Sequence, residues 1–101
     1  MRSVLTALVL GLTLLLASSA TSTAAVVDCD VFAHEPNLKI TSARNMTCRR
    51  AVREMRRYRG SVRRRFRTPG GFACTRVSGG ELGGQWRCVR RSRAFRFEFG
   101  D

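Results

Sequence analysis

Acids, histidine and long apolar runs are all scarce in this chain of 101 residues. Only 7 Asp and Glu stand against 19 Lys and Arg, a formal net charge of +12. Lysine is nearly missing as well: Lys39 stands alone beside 18 arginines. The charged fraction of 26% is ordinary, so the chain is not a disordered polyelectrolyte, and only the sign is unusual. The sole histidine, His34, leaves acid–base catalysis few players. The length excludes a doubly wound nucleotide-binding enzyme, a barrel enzyme and a multi-domain architecture.

The longest apolar run, Val4 to Leu16, is 13 residues, short of the ~20 that span a bilayer core. A short positive start (Met1-Arg2-Ser3) precedes it, and small residues follow from Ala17 to Ala25. Residues 1–25 therefore read as a secretory signal, leaving 26–101 as one small basic domain without a transmembrane segment. Ser18/Ala20, Ser22/Ala24 and Thr23/Ala25 all offer small residues at the required spacing for cleavage, the last being favoured. A mature chain of 76 residues buries a small core and needs staples.

Four cysteines, Cys29, Cys48, Cys74 and Cys88, all follow the expected cleavage site. An even count in a short exported chain reads as two disulfides. The intervals of 18, 25 and 13 residues contain no close pair, which argues against a zinc site and a C-x-x-C redox motif. No metal or cofactor is expected.

Residues 26–38 have no clean period and read as an irregular arm or short edge strand. Lys39 to Met46 reads as one more short strand around Ile40. Across Thr47 to Tyr58, Cys48, Ala51, Val52, Met55 and Tyr58 form a helical apolar stripe. Thr47 is placed to cap the helix and Gly60 to end it in the left-handed conformation. Arg49, Arg50, Arg53, Arg56 and Arg57 fill the opposite face, relieved only by Glu54. Beyond Pro69-Gly70-Gly71, Phe72–Val77, Gln85–Arg91 and Ala94–Phe99 read as strands. The glycine-rich connection 78–84 suits a hairpin loop longer than a tight turn. The expected fold is α+β: one amphipathic helix packed on a small antiparallel sheet of three to four strands, stapled by disulfides.

That arrangement favours a helix-to-sheet bridge, Cys48–Cys88 with Cys29–Cys74, among three connectivities. A hairpin pivoting near Glu81 also sets Cys74 opposite Cys88, which permits a cross-strand bond.

The segments ITSARNMTC and RRAV, then GFAC, QWRC and FRFEFG, resemble a pattern in small exported four-cysteine proteins of actinobacteria. The resemblance covers roughly residues 28–100. It implies export and a stapled fold, and it transfers no catalytic residue.

An enzyme is not expected. His34 and Glu35 are chain neighbours that diverge when extended, whereas acid and base must converge on a reacting group. Paired cysteines leave no thiol nucleophile, and no G-x-S-x-G context is present. The arginine belt is the strongest feature: 11 arginines lie between Arg44 and Arg67, with Glu54 the only acid. Guanidinium is always charged, weakly hydrated and matched to phosphate or carboxylate. Arg49, Arg50, Arg53, Arg56, Arg57, Arg63, Arg64 and Arg65 are therefore the candidate anion-binding residues, with anionic polymers or surfaces as partners.

Aromatics suited to base stacking are sparse in the belt, so sequence-specific nucleic acid is not expected. A secreted inhibitor or protein-interaction module is the alternative reading, with the loop 78–84 or Arg63–Arg67 as its contact. A membrane-active helix or a ribonuclease-like protein has less support. Asn45-Met46-Thr47 matches a glycosylation acceptor, but Thr47 already has a capping role.

Overall fold

The computed structural model describes residues 25–80 and 82–100. The expected signal segment lies outside the described residues, except for Ala25. The order is β1 (Val26–His34), β2 (Leu38–Arg44), α1 (Cys48–Arg57), β3 (Arg65–Arg67), β4 (Ala73–Gly80), β5 (Gly83–Arg90) and β6 (Arg93–Gly100). All six strands join one antiparallel sheet in the order β1-β2-β6-β5-β4-β3.

The helix-on-sheet architecture matches the expectation, but the sheet has six strands rather than three to four. The two edge strands account for the difference. In β1 the register to β2 shifts between Asp28 and Val31 and again between Phe32 and His34, and Asp30 takes a φ of 55°. A bulge reverses the phase of a two-residue alternation, so β1 carries no period to read. At the opposite edge, β3 is three residues long, with Phe66 buried between exposed Arg65 and Arg67.

Strand β6 supplies the centre of the core. Phe95 and Phe97 face inward, while Arg96 and Glu98 face out. Ile40, Phe97 and Trp86 are aligned across β2, β6 and β5, all at 2% exposure or less. Trp86 stacks on Phe97 at a centroid distance of 5.4 Å. Phe66 lies 6.2 Å from Phe97 although β4 and β5 separate their strands. Three flat strand spacings would set them about 14 Å apart, so the sheet curls around its core and is convex outside.

The helix lies against β1 and β2. Thr47 Oγ1 accepts the Arg50 N–H at 3.1 Å, the expected cap. Ala51, Val52 and Met55 are buried. The helix does not end through Gly60; Tyr58 is the last capping residue, in an extended conformation. This exit sets the Tyr58 ring on Phe66 at 4.5 Å, and its hydroxyl donates to the Ser61 carbonyl.

The disulfides are Cys29–Cys48 and Cys74–Cys88, not the favoured Cys29–Cys74 and Cys48–Cys88. Because the helix packs on β1 and β2 rather than β5, Cys48 at its start meets Cys29. Cys74 and Cys88 are register partners on adjacent strands, with Cα atoms 4.0 Å apart. These bonds belong to an oxidising environment.

The glycine-rich connection also differs from the expected long loop. Pairing continues to Gly80 opposite Gly83, so only two residues connect the strands. A Cβ on Gly84 would strike the Ser78 carbonyl, and Gly79 takes a φ of 94°. Here glycine lets two backbones close together instead of letting a loop open.

Candidate functional site

All eight candidate arginines, Arg49, Arg50, Arg53, Arg56, Arg57, Arg63, Arg64 and Arg65, are exposed. They are not equally unencumbered. Arg56 Nε donates to the Ala33 carbonyl at 3.1 Å and ties the helix to β1. Arg57 Nη1 lies 3.9 Å from Glu54 Oε1. Arg49, Arg50 and Arg53 make no side-chain hydrogen bond or ion pair among the described residues.

Glu54 relieves the basic face only at Arg57. It is 5% exposed, and its Oε2 accepts the Gly70 N–H. The carboxylate thereby holds a loop that also bonds to itself, Phe72 N–H to Thr68 Oγ1 at 3.0 Å and Gly71 N–H to the Thr68 carbonyl at 2.9 Å. Since Glu54 turns inward, the exposed side of α1 carries cations without an acid.

The segment after the helix is fixed through its backbone. The Trp86 indole Nε1–H donates to the Arg63 carbonyl at 2.7 Å, and the Arg76 N–H donates to the Arg64 carbonyl at 2.9 Å. The main chain is held on the sheet while the side chains of Arg63 and Arg64 remain exposed. Arg65 belongs to β3 and sits on the outer face of the sheet, apart from the helix.

The edge-strand alternative for residues 26–38 holds in β1, and His34 ends that strand and is exposed. Its Nε2 lies 3.2 Å from the Met55 carbonyl, so it carries the proton and donates. It borders an open cleft of about 570 Å³ also lined by Leu38, Met55, Tyr58 and Phe99. The cleft is mainly apolar there, and among the described residues Glu35 is the one carboxylate along it. The candidate membrane face of the helix, Ala51, Val52 and Met55, is occupied by core packing. The Asn45 amide donates to Ser92 Oγ at 2.8 Å.

Lys39 pairs with Asp30 at 2.9 Å; this hydrogen bond and charge hold the ammonium pKa above its ordinary value. Among the described residues no group of three or more His, Cys, Asp or Glu gathers for a metal, and no helix is long and apolar enough to cross a membrane. Comparison with protein-family models, with curated proteins and with solved structures found no match.

Reading the sequence missed the arginines that the sheet brings together. Arg87, between Trp86 and Cys88, and Arg96, between Phe95 and Phe97, alternate with core residues. That alternation signals an outward direction for each, but their adjacency needed the strand register.

Proposed function

We propose that this chain is an exported, non-catalytic protein that binds anionic polymers or surfaces through its arginines, with low specificity. The observation that carries the reading is the inward turn of Glu54, which leaves Arg49, Arg50 and Arg53 exposed on α1 beside no exposed acid of that helix. Like charges at helical spacing repel, and a bound polyanion relieves that repulsion. Export is supported by the N-terminal charge and apolar pattern together with two disulfides. The non-catalytic reading is supported by the engagement of His34 and by the bonding of all four cysteines.

The test uses Arg49→Gln/Arg50→Gln/Arg53→Gln, which leaves the structural contacts of Arg56 and Arg57 intact. The parent should bind polyanions with an affinity that falls about tenfold or more between 50 and 200 mM salt. The triple variant should bind every polyanion more weakly and with a flatter salt slope. A parent that binds no polyanion at low salt makes the helix surface a solvated face only.

The protein-interaction reading rests on Leu82, which is 82% exposed at the β4–β5 tip. A partner docking there would resist salt, since a shape-matched apolar contact loses little to screening.

A further inference from the structure

The convex face of the sheet carries a second array of arginines, assembled only by strand pairing. Register aligns Ser42, Arg96, Arg87, Thr75 and Arg65 across β2, β6, β5, β4 and β3. Neighbouring strands lie about 4.8 Å apart, so this row crosses the strands at right angles. Arg87 and Arg96 are directly opposed, and Arg65 follows one strand beyond Thr75. The next row in register runs Arg44, Ala94, Val89, Ala73 and Arg67. Arg44 and Arg67 thus flank a floor of small side chains, and all five arginines are exposed.

Among the described residues none of these five is in ion-pair contact with a carboxylate. Acids lie at the margin: Asp28 is paired with Ser42 beyond the Arg96 end, and Glu98 lies one row away between Lys39 and Gln85. Two depressions break this face. One of about 390 Å³ is bordered by Ser42, Arg44, Arg87 and Arg96, and one of about 450 Å³ by Arg65, Arg67 and Thr75.

Directly opposed like charges destabilise a strand pair, so Arg87 beside Arg96 is unfavourable in the isolated domain. We propose that this outer sheet face is the seat of a linear phosphate polymer, held across the strands by Arg96, Arg87 and Arg65 and flanked by Arg44 and Arg67. The proposal rests on the anion-binding reading above but moves the ordered contact from the helix to the sheet. Guanidinium forks grip phosphate through paired N–H bonds, which a point charge cannot do. A linear chain with a charge on each repeat can engage the whole row, whereas a single phosphate reaches only the Arg87–Arg96 pair. The curl of the sheet makes the face convex, so a flat bilayer meets it along a narrow strip. The two rows hold no aromatic side chain, so the backbone of the polymer is recognised and not a base.

The experiment compares two charge-matched variants of the oxidised protein, Arg65→Gln/Arg87→Gln/Arg96→Gln and Arg49→Gln/Arg50→Gln/Arg53→Gln. Binding of labelled inorganic polyphosphate is followed by anisotropy from 50 to 200 mM salt, with orthophosphate and phosphatidylglycerol vesicles as the other arms. The sheet variant is expected to lose at least tenfold more affinity than the helix variant, and its salt slope should fall by about 2. Arg87→Lys/Arg96→Lys keeps the charge but loses the fork, so it should bind at least threefold more weakly with an unchanged slope. Thermal melting checks that each variant is folded, and the lysine variant decides the matter if the glutamine variant is not.

Equal losses in the two triple variants would overturn the sheet seat while leaving the anion-binding reading intact. Full binding by the lysine variant, or parent binding to vesicles but not polyphosphate, would also overturn it. A parent that binds none of the three probes at 50 mM salt removes both proposals.

Discussion

The Trp86 indole N–H donates to the carbonyl of Arg63 at 2.7 Å, joining a buried row of the sheet to the main chain of the basic segment. An aromatic core residue thus fixes the path of residues whose own side chains are in water. Trp86→Phe removes the donor and some core volume. It should cost about 1–3 kcal/mol. Amide exchange at Arg76, whose N–H bonds to the neighbouring Arg64 carbonyl, should quicken by more than exchange in α1. Unchanged protection at Arg76 would mean that the segment is held by other contacts.

Glu54 should behave as a stabilising buried acceptor and not as a surface charge. Glu54→Ala leaves the Gly70 N–H without its partner and should cost about 1.5–3 kcal/mol; Glu54→Gln, which keeps an acceptor oxygen, should cost less. Denaturant titration of both variants gives the ranking. Equal stability of the alanine variant and the parent would contradict the clamp.

The sequence made the helix and the central strands legible because each has a sustained period. Cys48, Ala51, Val52 and Met55 repeat at helical spacing, and Phe95, Phe97 and Phe99 alternate. The cap at Thr47 was equally local. What escaped was set by contacts distant along the chain. The bulged phase of β1 hid its pairing, the three residues of β3 gave too short a pattern, and the choice of Cys48 partner depended on which strands the helix covers. The exposed helix arginines were readable from spacing. The alignment of Arg65, Arg87 and Arg96 depended on register across four strands.

The two disulfides should differ in accessibility. Cys29 and Cys48 are half-buried, whereas Cys74 and Cys88 are 1% and 0% exposed. Graded reductant with alkylation should therefore open Cys29–Cys48 first. Loops of these lengths give each bond about 3 kcal/mol of stabilisation, so loss of either should lower the melting temperature clearly. Peptide mapping of the oxidised protein should recover Cys29 with Cys48 and Cys74 with Cys88. Alkylation without reductant should add nothing.

His34→Ala should report a structural role. The imidazole bond to the Met55 carbonyl contributes about 0.5–1.5 kcal/mol, and its loss should appear as a small drop in stability. RNA incubated with parent and variant should stay equally intact. Cleavage by the parent that disappears in the variant would make His34 catalytic.

The irregularity of β1 has a further effect at the rim of the sheet. An outer strand offers unpaired N–H and C=O groups on which another chain can align. In β1 the bulge around Asp30 and the Lys39–Asp30 ion pair break that template with a twist and a charge. On the far rim, β3 offers three residues, two of them arginine. An incoming strand finds no uninterrupted template on either side, so copies of this domain are discouraged from joining edge to edge into fibres even at high local concentration.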